Sequence, residues 1–203
     1  METAKGLIGI LLLTLITITG CRNKSEKSAA SVPRLPAEEG GIDSVLNTSI
    51  HEASLNGQLS AVLYLLEKGS DINAPDQDGR TALIYAAYNG HTEIVKKLIE
   101  KGADVNLRDN YGRTALMMAA SGAFPETVRL LLDHSADPDI TDKEEHFTAL
   151  MYAASEGQLE VVKILLIYRA DPSLKDIDGD DARTFAERNG HKEISALLKS
   201  FRK

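Results

Sequence analysis

The sequence contains no tryptophan, and aromatic residues make up only 5% of it, so stacking platforms for bases or sugars are not advertised. There is one cysteine, Cys21, which excludes any intramolecular disulfide. Among the five histidines no two have the i, i+4 spacing of a helical zinc site. A glycine-rich phosphate loop and a Gly-x-Ser-x-Gly nucleophile elbow are both missing. Net charge is −7, and an acidic body disfavours nonspecific contact with phosphate backbones. No catalytic residue, metal or cofactor is therefore expected, and no nucleic-acid partner.

What is present begins with a leader. Lys5 precedes an apolar run from Gly6 to Gly20, with an uninterrupted core over Ile10–Thr19. The run is shorter than the roughly 20 apolar residues a spanning helix needs, and it reads as a secretory signal. Ile18-Thr19-Gly20-Cys21 resembles a bacterial lipobox, which implies cleavage before Cys21 and lipidation of its thiol. An uncleaved anchor with an incidental cysteine is the alternative. Arg22, where an aspartate would signal retention, resembles the outer-membrane side of the enterobacterial sorting rule. Residues 22–41 are polar, carry Pro33 and Pro36 and show no periodicity, as expected of a flexible tether. The expected division is a signal peptide over 1–20, lipidated Cys21 and tether over 21–41, and a folded domain over 42–203. Such a protein would sit in the periplasm, lipid-anchored to the outer membrane.

The folded part repeats itself. Thr81-Ala82-Leu83 returns as Thr114-Ala115-Leu116 after 33 residues and as Thr148-Ala149-Leu150 after a further 34. Gly102-Ala103-Asp104-Val105-Asn106 is anticipated at Gly69–Asn73 and echoed at Ser135–Asp139 and Arg169–Ser173. A fixed period near 33 in this register predicts stacked helix–turn–helix units. The array resembles ankyrin repeats over roughly residues 42–201. The resemblance implies an all-α solenoid of about five units, with no enzymatic activity, which binds a protein partner as a monomer. Two departures from the family pattern recur. Ala82, Ala115 and Ala149 stand where proline is common, and Ile84, Met117 and Met151 replace the usual histidine.

Within the second unit, Thr81 can cap an inner helix through its hydroxyl, and Gly90 permits a left-handed turn. Ile94, Val95, Leu98 and Ile99 form the stripe of the outer helix. Asp76 and Gly79 suit the hairpin finger that joins units. The third unit has Ala123 at the position matching Gly90, with Gly122 one residue early. Because a left-handed L-residue costs roughly 1–2 kcal/mol, Gly122 is expected to take the turn. The next finger, Asp142–Phe147, carries one extra residue and no glycine, which drift and function explain equally well. The acidic run Asp171–Asp181 fails as a calcium loop, because Leu174 and Phe185 fall at ligand positions one and twelve.

What remains is a surface. In ankyrin arrays finger tips and the exposed side of inner helices form the concave binding face. By register this assigns Arg80, Tyr88 and Asn89 from the second unit and Arg108, Asn110, Tyr111 and Arg113 from the third. His146, Phe147 and Glu156 come from the fourth, followed by Lys175. Tyr, Phe and Arg are types enriched at interface hot spots, and the arginines would suit an acidic patch on a partner. The resemblance to periplasmic ankyrin proteins implies two jobs. One is immunity to a secreted toxin, the other docking on an envelope stress-defence enzyme. A hydrolase on a repeat scaffold is the reading from another class, and no nucleophile–base pair supports it.

Overall fold

The computed structural model describes residues 48–201. The leader, Cys21, the 22–41 tether and the first-unit residues Val45 and Leu46 lie outside the described residues. Among the described residues the regular structure is entirely helical, in five pairs. The first helices of the pairs are α1 (Ile50–Leu55), α3 (Ala82–Tyr88), α5 (Ala115–Ser121), α7 (Ala149–Ser155) and α9 (Ala182–Arg188). The second helices are α2 (Leu59–Glu67), α4 (Thr92–Glu100), α6 (Pro125–Asp133), α8 (Leu159–Ile167) and α10 (Lys192–Ser200). None is long enough to be stable alone in water, so stacking must hold them. No described helix is long and apolar enough to cross a membrane.

The recurring threonine starts the first helix of the middle units. Thr81, Thr114 and Thr148 are extended at the N-cap, and each hydroxyl accepts from a backbone N–H three residues on, at 3.3 Å. Asp181 does the same for α9, accepting from Thr184 N at 2.9 Å. Paired alanines then let adjacent first helices approach. Ala86, Ala87, Ala119, Ala120, Ala153 and Ala154 are all fully buried. Beside them Ile84, Met117 and Met151 are buried too, so apolar packing fills the position where histidine was the family expectation. The first helices pack closely along the row, while the second helices meet more sparsely.

The second helices add branched aliphatic side chains to the core. Ile94, Val95 and Leu98 in α4 are repeated by Val128, Leu131 and Leu132 in α6 and by Val161, Val162 and Leu165 in α8. Each buried side chain of this size contributes about 1.5–3 kcal/mol relative to exposure. The row is one continuous buried cluster from Ile50 to Leu198.

The third unit departs from expectation at its turn. Ala123, not Gly122, is left-handed, with φ 61°, while Gly122 is the C-cap of α5 at φ −87°. The register of the stack decides this. α5 has the same seven residues as α3, so Gly122 falls where Asn89 stands and Ala123 where Gly90 stands. Shifting the turn would rotate Val128, Leu131 and Leu132 out of the core, at a cost above the 1–2 kcal/mol of one left-handed alanine. Gly122 is needed for another reason. A Cβ there would collide with the ring of Phe124. Ser135 and Arg169 are likewise left-handed where Gly69 and Gly102 stand in earlier units.

Candidate functional site

Four loops connect the units on the side of the first helices, and an aspartate folds each one. One oxygen of Asp76 accepts from the N–H groups of Asp78 and Arg80, at 2.9 and 2.8 Å. Asp109 repeats this with Tyr111 and Arg113, Asp142 with Glu145 and Phe147, and Asp176 with Asp178 and Asp180. Each loop then closes on itself, as where Asp109 N donates to Arg113 O at 3.0 Å. Neighbouring loops are bonded edge to edge. Asn110 N donates to Asp78 O at 2.9 Å, Lys143 N to Tyr111 O at 2.8 Å and Ile177 N to Glu145 O at 3.1 Å. The tips therefore form a fixed row.

The Asp142 loop accommodates its extra residue at the tip. Lys143 and Glu145 make the same inter-loop bonds as Asn110 and Tyr111, which leaves Glu144 as the insertion. His146 takes the place of the missing glycine at φ 59°. Phe147 follows and packs inward, with its ring centroid 5.5 Å from Tyr152 and 4.7 Å from Phe185.

The second oxygen of each loop aspartate distinguishes the units. Tyr85 donates its hydroxyl to Asp76 at 2.6 Å, and Tyr152 to Asp142 at 2.8 Å. Burial works to raise the Asp76 carboxyl, but the Tyr85 hydroxyl and the Arg80 and Asp78 N–H groups outweigh it and hold it below its ordinary value. Burial, then the bond to Asp142, pushes the Tyr152 phenol far up, so it stays a donor. In the third unit the matching residue is Met118, which has no hydroxyl. Asp109, with a side chain 0% exposed, turns instead to Arg113, which donates from Nε at 3.0 Å and approaches with Nη2 at 2.9 Å. Arg80 from the preceding loop brings its Nε within 3.7 Å of the same oxygen. The Arg113 guanidinium also lies 4.5 Å from the centroid of the Tyr111 ring.

The residues expected at a binding face divide into two groups. Tyr88 and Tyr111 stand out at 55% and 40% exposure, and His146 and Glu156 are exposed as well. Arg80 and Arg113 are half-buried. Others are occupied by the scaffold. Asn89 donates to Leu55 O at 2.7 Å, Asn110 to Gln77 O at 3.0 Å, and Lys175 pairs with Asp181 at 3.4 Å. Arg108 donates to Gly112 O at 3.1 Å and to Thr141 O at 2.5 Å, clasping two loops. Phe147 is spent on packing. Two residues went unsuspected: Asp109, which pins the arginines, and Lys143, whose Nζ reaches Asn110 O at 3.2 Å. The signal for Asp109 was present in the sequence as methionine at 118, where the flanking units have tyrosine.

Histidines and acids elsewhere serve the frame. His91 Nε2 bonds Leu55 O and His191 Nε2 bonds Ser155 O, each at 3.0 Å, while His51 bonds Ala74 O at 2.8 Å. In the acidic run Asp171 accepts from Ser173, Asp176 folds a loop and Asp181 caps α9. No cluster of three or more histidine, cysteine or acidic side chains among the described residues could hold a metal ion.

Comparison with curated proteins finds no match. Comparison with known families matches the description "Ankyrin repeats" in three copies, over residues 50–144, 108–176 and 150–202. Together these span every described helix, and the chain belongs to the ankyrin-repeat family, whose members serve as modules for protein–protein interaction.

Proposed function

We propose that the chain is a non-enzymatic binding module, tethered in a bacterial envelope, whose concave face of loop tips and first helices grips a protein partner. The observation that carries this reading is the half-exposed Tyr111, stacked by Arg113 on a loop that Arg80 also reaches, with Tyr88 exposed on α3 of the preceding unit. A large amphipathic ring beside guanidiniums, on a row of loops fixed by bonds between them, gives a preorganised hot spot. The tether is the lipid that the Ile18–Cys21 lipobox would direct onto Cys21. Within this reading the chain is an immunity protein covering a secreted toxin; docking on a stress-defence enzyme is the second reading, and both use the same face.

A photo-crosslinking amino acid placed at 88 or 111 tests the face in cells, with exposed Lys163 on α8 as the control position. The expected result is one distinct adduct from 88 and 111 and none from 163. Adducts from 163 alone would place the partner elsewhere. For the tether, Cys21→Ser should move the protein from the membrane pellet to the soluble fraction; a variant that still sediments refutes lipid attachment.

A further inference from the structure

We propose that Arg80 and Arg113, walled by the ring of Tyr111, form a receptor for a single carboxylate side chain of the protein partner. This rests on the interaction reading above and names the chemistry that its centre selects. Two guanidiniums from adjacent loops converge on Oδ2 of Asp109, which is wholly buried. The other oxygen of that carboxylate is already consumed by the N–H groups of Tyr111 and Arg113. Two positive charges face one buried negative charge, Asp109, and the second counter-charge, Asp78, stands at the surface, where a partner's carboxylate can replace it. Asp78 lies 3.9 Å from Arg80 Nη1, but its side chain is 57% exposed and water screens it. Lys143 adds a further positive charge beside the Asp109 loop.

Donors remain as well. A guanidinium carries five N–H groups in a planar fork, and Asp109 occupies only the inner edge of Arg113. The arginine side chains are 30% and 23% exposed, so both remain open to solvent. Tyr111 covers one flank of Arg113 and shields it from water, which strengthens an ion pair formed there. Both guanidiniums are held in advance, so little side-chain entropy is lost on binding. Arg108 stands outside the receptor because it clasps the Gly112 and Thr141 carbonyls and does not converge on Asp109. A polyanion such as nucleic acid is disfavoured, since the chain as a whole carries −7.

Selection of a library of short random displayed peptides on the full chain in mild detergent provides the probes. Selected peptides are expected to carry Asp or Glu next to an apolar residue and to bind less well as salt is raised. Arg80→Gln and Tyr111→Ala should each weaken the best peptide about tenfold while leaving the thermal melt within a degree or so. Arg113 is spared because its loss strands a buried carboxylate. Selected peptides without acidic residues, acidic peptides indifferent to both substitutions, or displacement by short single-stranded DNA would each overturn the receptor and leave the interaction reading standing. A selection that yields no binding peptide would overturn both.

Discussion

The ring of Phe124 occupies the space that a Cβ on Gly90 would need, one unit away. The relationship is periodic. His91 lies over Gly57 in the same way, with Cε1 2.7 Å from where that Cβ would be, and His191 lies over Gly157 at 2.6 Å. Each ring sits at the N-cap of its second helix and leans back on the turn of the preceding unit. The exception fits the rule: the matching N-cap over Ala123 is Gln158, which has no ring.

Gly90→Ala should therefore cost about 3 kcal/mol, combining left-handed strain with overpacking against Phe124. Gly102→Ala, at φ 94° with open space around it, should cost only the conformational part, about 1 kcal/mol. Ala123→Gly should stabilise by about 0.5 kcal/mol, since relief of strain exceeds the added unfolded-state entropy. Urea midpoints of the three variants check this; equal losses at Gly90 and Gly102 would refute the ring-on-glycine account.

Ser54 is 0% exposed, and its hydroxyl has no hydrogen-bond partner. The next three units have Ala87, Ala120 and Ala154 at this position. Ser54→Ala removes an unsatisfied buried polar group and leaves the apolar contact intact. The expected gain is about 1 kcal/mol, read as a higher urea midpoint with an unchanged slope. A loss would mean that the hydroxyl finds a bond in solution.

The repeats, the threonine caps and the core were legible because they recur: the same side chain meets the same environment every 33 or 34 residues. The turn at Ala123 was not, since local preference favours glycine and only the register shared with α3 and α4 overrides it. That Tyr88 and Tyr111 are exposed could be read from the period. Which of the other expected side chains are free could not. Asn89, Asn110 and Arg108 look like surface donors in the sequence, yet each is bound to a carbonyl in an adjacent unit or loop. Such pairings cross about one repeat, and no motif within a unit encodes them.

Met118 is the reason Arg113 is pinned, so the two can be exchanged. Met118→Tyr should place a hydroxyl on Asp109 as Tyr85 does on Asp76, and free Arg113. Stability should change by less than about 1 kcal/mol, because one donor to the buried carboxylate replaces another. Asp109→Ala, by contrast, strands two N–H groups and two guanidiniums and should cost about 3 kcal/mol or more. In Met118→Tyr, Arg113→Ala should then cost far less than in the parent chain. A double-mutant cycle on thermal stability measures that coupling, and a value near zero would contradict the exchange.

Asp139 carries the opposite electrostatic burden to Asp76 and Asp181. Its Oδ1 accepts from Asp171 N at 2.8 Å, the bond that Asn73 and Asn106 make to the following units. Burial, aided by the nearby Asp137 and Asp171 carboxylates, raises its pKa despite that bond. Ionised Asp139 thus disfavours the folded state at neutral pH. The penalty disappears as pH falls through the raised value towards the ordinary one of about 3.9. Asp139→Asn keeps the acceptor and removes the charge, so it should stabilise by about 0.5 kcal/mol at pH 7 after allowance for solvent screening. That gain should vanish in acid. Asp76 and Asp181 behave inversely. Their lowered values mean stability present above about 3.9 and lost as pH drops through the folded-state values. Urea midpoints of parent and Asp139→Asn from pH 7 to 3 should therefore both fall and converge at the acid end. A constant offset across that range would show that the charge of Asp139 is not the cause.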